Sequence, residues 1–447
     1  MSRPLRAALL LLALGGLTLP VELCPPARAA ESQPASSEPE VDLDAPRGLW
    51  ARTAKTLRLV GSYRYQRPTL GGVNPENALL DVPRQTAEAE ARLDLSLELD
   101  RLAIFAKPRA RWTREHRQDG PSAGRTGADA EVRLNEGAAK LRAVDSLFGS
   151  FGRENLQGGP GQLVNPSNPF FAENGRENPV RELPGMDFVR AVWLPASSWT
   201  LSWISNTGRG EAELGGREWR PSQAVKLEHV GKEANGGVLL HGGPDDPTSL
   251  RAYGQRTASD ALLLYAEASA SRGTRALYPV RDRGPLGGHL EPLRKGDPTP
   301  LLFGLLGGAS TLELGPTLSA EYVFNDEGYH RREADLFFDI GARAGRLAAE
   351  GLLPRGAASS NRLRLLRRHY LFLQYLQTEI ANRATLLVRR AQNLDDRSGL
   401  TTLFFDYALS DRWRAFGFAA AGDGGNRDEF GSVLRYSASA GLEFSAF

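Results

Sequence analysis

Cysteine is nearly absent: Cys24 is the one example in 447 residues, and it sits in a segment that reads as a removable leader. A mature chain without it has no disulfide framework, no Cys-based metal site and no C-x-x-C-H haem attachment. Net charge is also scarce, with 55 Lys and Arg against 53 Asp and Glu, so nothing resembles the basic footprint of a nucleic-acid binder. Beyond the N terminus no apolar run approaches the roughly 20 residues of a membrane-spanning helix, and the mean hydropathy is −0.36. A polytopic helical membrane protein is thereby excluded. Wholesale disorder is excluded too, because 41% of the residues are hydrophobic. The 48 glycines do not recur at every third position, which removes collagen.

The six histidines, His116, His229, His241, His289, His330 and His369, are dispersed, and none falls in an H-E-x-x-H spacing. No G-x-S-x-G elbow and no phosphate-binding loop occurs. His116, close to Glu115 and Asp119, is the nearest candidate for catalysis, and a solvated loop histidine is the plainer reading. No enzyme activity and no cofactor is expected. Asp395-Asp396 and the group Asp423, Asn426 and Asp428 could hold Ca²⁺ or bridge lipopolysaccharide, but loop acids of this kind are ordinarily solvated, and no metal site is assigned.

Residues 1–29 read as a secretory signal peptide: Arg3 and Arg6 precede an apolar stretch from Ala7 to Pro20, and Ala27-Arg28-Ala29 supplies a small-residue cleavage site. Val21-Glu22-Leu23 is a poor lipobox for Cys24. Loss of Arg3, Arg6, Arg28 and Glu22 leaves the mature chain formally balanced. Residues 30–53, acidic and rich in Ser and Pro, read as a flexible periplasmic leader.

The strongest pattern lies between Thr86 and His116. Ala87, Ala89, Ala91, Leu93, Leu95, Leu97 and Leu99 alternate with Glu88, Glu90, Arg92, Asp94, Ser96 and Glu98. Local propensity favours a helix here, but a strict period of two leaves no apolar stripe on a helix. As a strand it has one apolar face and one charged face. Its length of about 14 residues exceeds the usual 5 or 6 of a soluble strand and suits a tilted membrane-spanning one. Leu102 to Trp112 continues the alternation, so Asp100-Arg101 reads as a two-residue turn. That turn pairs Leu97 with Ile104 and Ala89 with Trp112, sets Asp94 against Lys107 and Glu90 against Arg111, and opposes Arg92 to Arg109. The last pair needs a diagonal carboxylate from Glu90, Asp94 or another strand.

Similar segments recur from residue 54 to residue 447, separated alternately by short and long connections. Short ones fall near Asp100-Arg101, Asp145-Ser146, Ala196–Ser198, Lys232–Asn235, Ser259-Asp260, Ala309-Ser310, Ile380–Arg383 and Ser410–Arg412. Long ones fall near 67–85, 116–128, 154–185, 207–221, 242–248, 272–300, 326–361, 392–399 and 422–432. This rhythm predicts an all-β outer-membrane antiparallel barrel of about eighteen strands, with short periplasmic turns and long extracellular loops. Sixteen strands stay open, because 236–241 and 301–308 are weakly patterned. Residues 331–353 carry Leu336, Phe337, Ile340, Ala344, Leu347 and Ala348 near helical spacing, which suits a loop helix over the barrel mouth or a packed core stripe.

The third long loop, 154–185, has Asn-Pro at 165–166, 168–169 and 178–179, and is expected to be fixed, irregular and either folded into the pore or held at the surface. G-R-x-x-x at 152–156, N-P-x-x-P-F at 165–170, E-x-P-G-x-D-x-x-R at 182–190, N-L-D-D-R-S-G-L at 393–400 and D-E-F-G at 428–431 resemble porin-like outer-membrane barrels related to alginate-export channels. The resemblance covers about a sixth of the chain plus the strand-loop rhythm. It implies a substrate-conducting barrel with a polar lumen and singles out Arg153, Asn165, Glu182, Asp187 and Arg190 as constriction-loop residues. Phe447 is the terminal aromatic that the barrel assembly machinery would read, although Ser445 stands where an aromatic is common. Tyr436, Leu442 and Phe444 take the opposite parity, which leaves open a bulge near the end.

The functional expectation is passive diffusion or export of a polar, anionic solute, with Glu88, Glu90, Arg92, Asp94, Glu98, Lys107, Arg109 and Arg111 lining the pore. The alternative is a barrel sheath around a partner such as a multihaem cytochrome in a trans-outer-membrane electron conduit. Outer-membrane lipid and lipopolysaccharide are the expected surroundings, and a periplasmic partner is conceivable.

Overall fold

The computed structural model describes residues 53–446 except 172, 213, 215–217, 245, 294–299 and 354–359. The signal peptide, nearly all of the leader and Phe447 therefore lie outside the described residues. The first half of the chain forms β1 Thr53–Pro68, β2 Gln85–Glu98, β3 Leu102–His116, β4 Thr126–Val144 and β5 Leu147–Glu154. It continues with β6 Met186–Ala196, β7 Trp199–Gly208, β8 Ser222–Val230, β9 Ala234–Gly243, β10 Asp246–Ser259 and β11 Leu262–Ser271. A small hairpin, β12 Leu277–Arg281 with β13 Gly288–Pro292, interrupts the series. Then come β14 Leu301–Thr311, β15 Thr317–Asn325, the helix α1 Arg331–Ala349, β16 His369–Ile380 and β17 Ala384–Asn393. The last three strands are β18 Gly399–Ala408, β19 Trp413–Asp423 and β20 Leu434–Ser445.

Apart from the small hairpin, eighteen strands form one antiparallel sheet, and β20 pairs back onto β1 to close it. The weakly patterned segments are the strands β9 and β14, so the count is eighteen, not sixteen. The β2–β3 ladder has the register that the Asp100-Arg101 turn imposes, with Ala89 opposite Trp112, Arg92 opposite Arg109 and Leu97 opposite Ile104. Two connections differ from the sequence expectation. The turn placed at Ala309-Ser310 lies at 312–316, because Ala309, Ser310 and Thr311 still pair with β15. The connection at 242–248 is not a long loop. Gly243 pairs directly with Asp246, so the polar composition there marks a short connection. The β1–β20 register runs unbroken from Arg58–Ser445 to Arg67–Tyr436, and its one shift lies at the opposite end of β20, not near Ser445.

The polarity of this barrel is inverted relative to a water-soluble protein. On the outward faces Val132 is 80% exposed, Phe151 67% and Leu306 66%, whereas inward Arg109 and Glu321 are each 1% exposed. An apolar exterior around a charged interior fits hydrocarbon outside, not water. Trp112, Trp193, Trp199, Trp203, Tyr322 and Trp413 stand on the same outer surface, the amphipathic ring types that favour membrane interfaces.

At the long-loop end a second core covers part of the rim. Helix α1 starts where the Glu333 carboxylate accepts the His330 backbone N–H at 2.8 Å. Its apolar side places Ala334, Phe337 and Phe338 among Val73, Leu80, Val82, Tyr329, Leu363, Leu366 and Val433. The helix also approaches the loop after β1 closely: a Cβ on Gly345 would fall 2.5 Å from Pro75 Cδ and 2.6 Å from the Val73 carbonyl oxygen. Glycine is needed for that contact. The first and last long loops are joined as well, since Thr69 N donates to the Val433 carbonyl at 2.8 Å and Thr69 Oγ1 to the Gly431 carbonyl at 2.9 Å.

Candidate functional site

Extending the register across four strands brings Arg58, Arg92, Arg109 and Arg133 into one row: Arg58 opposes Arg92, Arg92 opposes Arg109, and Arg109 opposes Arg133. Four like charges side by side would repel strongly. Carboxylates threaded through the row offset this. Asp94 reaches Arg109 Nη2 at 2.7 Å and Arg58 Nη2 at 3.3 Å, and Glu90 reaches Arg92 Nε at 2.6 Å and Arg133 Nη2 at 3.5 Å. Glu131 accepts from Arg133 Nη1 at 3.0 Å and Arg111 Nη2 at 2.6 Å.

The fourth acid comes from outside the wall. Glu182, on the loop between β5 and β6, takes Arg109 in a forked pair, Nε to Oε2 at 2.6 Å and Nη2 to Oε1 at 3.1 Å. Arg58 Nη2 lies 3.3 Å from Glu182 Oε1 and Arg92 Nη1 3.8 Å from it. Burial alone would raise the Glu182 pKa, but the guanidinium groups of Arg109, Arg92 and Arg58 hold it below the ordinary carboxylate value. Arg92 Nη2 also donates to the Val180 carbonyl at 2.7 Å.

The same loop, residues 155–185, touches the inner wall on other sides of the barrel. Glu267 of β11 accepts the Gly161 N–H at 2.7 Å, the Ser167 N–H at 3.0 Å and the Ser167 hydroxyl at 2.6 Å. Glu321 of β15 accepts the Leu163 N–H at 2.9 Å and the Tyr265 hydroxyl at 2.8 Å. Arg251 of β10 donates to the Pro166 carbonyl at 2.8 Å, and Gly185 N to the Asn135 carbonyl on β4 at 2.9 Å. Apolar contacts complete the circuit: Leu163 and Val164 meet Phe303, Val323 and Tyr370, while Phe171 meets Phe188 and Ile204, and Val180 packs beside Phe404 and Phe416. Gly159 has φ +83°, and a Cβ there would run into the Glu267 carboxylate. The loop therefore crosses the lumen and is held at several points of its circumference.

Several nominated residues lie elsewhere than the sequence implied. Glu90 stands opposite Arg111 in the ladder, as the Asp100-Arg101 turn requires, but the ion pairs run elsewhere: Asp94 pairs with Arg109 and Arg58, and Glu90 with Arg92 and Arg133. Lys107 Nζ instead pairs with Glu136 at 2.8 Å, and Arg111 with Glu131, because β4 supplies nearer acids on the other side of β3. Glu88 is half-buried and Glu98 exposed near the β2–β3 turn. Of the five constriction-loop nominees only Asn165 and Glu182 lie in the loop. Arg153 is on β5, and Asp187 and Arg190 are on β6. Arg153 and Asp187 moreover share the outward face of Phe151 and pair there at 2.8 Å, the parity having been unreadable in a Gly- and Pro-rich stretch. Arg190 faces inward, 3.5 Å from Glu154. Asn165 is buried, its carbonyl accepting Arg364 Nη1 at 3.1 Å.

His116 is not assembled with the acids near it: its Nδ1 meets Thr126 Oγ1, while Asp119 pairs with Arg84 and Glu115 with Arg117. Asp395 and Asp396 accept loop backbone N–H groups, among them those of Arg368, His369 and Glu429. Sequence reasoning missed Arg58, Arg133, Glu267 and Glu321. The first two were within reach by carrying the β2–β3 register one strand further each way. The two acids depend on a loop more than 90 residues away in sequence.

No protein-family model and no curated protein sequence matches the chain. Solved structures do. Pseudomonas aeruginosa OprD is 11% identical, with 89% of this chain and 96% of that chain covered at a TM-score of 0.50. P. aeruginosa OccK7 (OpdD) is 10% identical over 88% of this chain and 99% of that one, with a TM-score of 0.53. P. aeruginosa OpdK, solved with vanillate, is 11% identical over 89% and 99%, with a TM-score of 0.51. Over nearly its whole length the chain has the fold of these outer-membrane porins, a closed eighteen-stranded antiparallel barrel.

Proposed function

We propose that this protein is an outer-membrane channel through which a small polar, anionic solute crosses by passive diffusion or export. The observation that carries the reading is the arginine row Arg58–Arg92–Arg109–Arg133 on the inner wall of a barrel wide enough for an aqueous path. Arg109 and Arg111, with Glu90, Asp94 and Glu182, would form the transverse field that orients a charged solute and rejects an apolar one. Vanillate in OpdK, an aromatic carboxylate, gives this solute class a precedent within the fold. Export is the direction that the alginate-channel resemblance of the third loop implies.

In this reading residues 1–29 direct export, lipid and lipopolysaccharide surround the barrel, and Phe447 is presented to the assembly machinery. The alternative, a sheath around a partner such as a multihaem cytochrome, would need room for that partner inside the barrel, and the wall-anchored loop 155–185 favours the channel reading over it. Conductance of the purified barrel in planar bilayers, with reversal potentials under a KCl gradient, tests the reading. Anion preference is expected, and a barrel that passes no current would overturn it.

A further inference from the structure

We propose that the outer wall of the barrel carries a binding site for one phosphorylated glycolipid of the surrounding membrane, with its phosphate at Arg390 and one acyl chain in the groove that ends there. The site lies on the lipid-facing surface and does not rest on the channel reading above.

The register places the site. Leu264, Gly308, Ala320, Leu373, Arg390 and Thr401 stand opposite one another in turn across β11, β14, β15, β16, β17 and β18. They form one row on the outward face, where Leu264 and Leu373 are exposed. The row climbs the wall. Leu264 comes soon after a short turn at the start of β11, whereas Thr401 comes soon after a long loop at the start of β18. A groove of about 470 Å³ follows the row, lined by Leu262, Gly308, Leu318, Ala320, Leu373 and Val388, and it reaches Arg390 and Thr401. Gly308 and Ala320 carry little or no side chain and leave the hollow beside Leu318 and Leu373. The groove is thus apolar along its length and polar at the long-loop end.

An arginine on this face is otherwise out of place, because a charge facing hydrocarbon costs more the deeper it sits. Its guanidinium is nevertheless held in one orientation. Nε and Nη2 donate to Gln392 Oε1 at 3.1 and 2.6 Å, and Nη1 donates to Thr401 Oγ1 at 3.0 Å and to Asp423. Gln392 is fixed in turn by its bonds to the carbonyls of Arg397 at 2.8 Å and Ser398 at 2.9 Å. Gly399 packs so closely that a Cβ there would run into the guanidinium. These bonds leave one N–H of Nη2 without a partner among the described residues. The Thr401 hydroxyl accepts from Nη1 and keeps its own hydrogen to donate. A fixed cation with a spare donor beside a free hydroxyl suits a phosphate oxygen.

The neighbouring rim matches the rest of such a headgroup. Arg368, over the Phe324 ring at 5.1 Å, adds a second cation on the same outer face. Tyr322, whose hydroxyl meets His369 Nδ1 at 2.7 Å, is of a ring type that settles at headgroup level. Asp423 is the one carboxylate that a phosphate would have to share Arg390 with.

The test is native mass spectrometry of the detergent-extracted barrel, titrated with diphosphorylated lipid A and with the same glycolipid stripped of phosphate. The parent should hold the phosphorylated form at least about tenfold more tightly, the ratio that one charge-assisted hydrogen bond supports. Arg390→Gln should abolish that ratio, and Asp423→Asn, which removes the competing carboxylate, should widen it. Ala320→Phe, which fills the groove from an exposed position, should weaken both forms alike. Thr401→Val should narrow the ratio and serves where R390Q gives no folded barrel. An unchanged ratio in R390Q and T401V would overturn the phosphate site, and unchanged binding in A320F would overturn the groove. Retention of phosphatidylglycerol as tight as that of lipid A, or displacement of lipid A by inorganic phosphate alone, would overturn the glycolipid as occupant.

Discussion

Glu429 offers a quantitative test of the loop cap. It lies between β19 and β20, fully buried, and its carboxylate accepts the Leu366 N–H at 2.9 Å, the Tyr370 hydroxyl at 2.6 Å and Asn393 Nδ2 at 2.7 Å. Burial pushes its pKa from 4.5 up to about 7; the donors Tyr370, Leu366 and Asn393 oppose this, while Asp396 adds to it. A carboxyl with a raised folded pKa binds its proton more tightly folded than unfolded. Its contribution is fully present below pH 4.5, declines as pH rises, and is lost above about 7. At 1.36 kcal/mol per unit the difference is about 3 kcal/mol. Hydrogen exchange of the 363–368 and 428–433 amides should therefore accelerate markedly between pH 5 and pH 7.5, after correction for the intrinsic rate. Glu429→Gln, neutral throughout, should flatten that dependence. The same pH slope in E429Q as in the parent would refute the assignment.

Three further outcomes are expected. Arg111→Glu, at a half-exposed inner position, should shift the reversal potential in a KCl gradient towards cations with the barrel intact, whereas Arg109→Glu should lose the heat-modifiable folded band on gels, since breaking a buried pair costs about 3–5 kcal/mol. Gly345→Val should push α1 away from Val73 and Pro75, read as faster proteolysis within 331–349 with an unchanged barrel band. The mature protein should fractionate with outer membranes and need detergent for release; recovery as a soluble periplasmic monomer would contradict the inverted polarity of its surface.

The barrel was legible because period-two alternation survives at the level of single residues. Ala87 to Leu99 can satisfy one apolar face only as a strand, and Asp100-Arg101 then fixes every partner across to Trp112. The same logic failed where glycine and proline thin out the alternation. In Phe151-Gly152-Arg153 too few residues mark a face, so two arginine-acid partners expected inside the pore are outside it. Composition misled at 242–248, since polar residues serve a tight turn as well as a long loop. The register placed Arg92 against Arg109 but not their partner: Glu182 is remote in sequence, and only a loop folded back through the lumen brings it there. The resemblance had singled out Glu182 as a loop residue, but sequence distance hid its pairing with Arg109 and Arg92.

The link between Thr69 and the segment 431–433 has a mechanical consequence. Seventeen of the joints between neighbouring barrel strands have a chain connection at one rim, which limits how far the two strands can peel apart; the joint between β1 and β20 has none. A hoop under lateral load fails at its unriveted seam. By tying the first long loop to the last above that seam, and seating α1 over both Val73 and Val433, the protein fits a rivet where covalent connectivity provides none. Sideways opening between β1 and β20 must therefore shear a packed core as well as unzip a ladder of backbone hydrogen bonds.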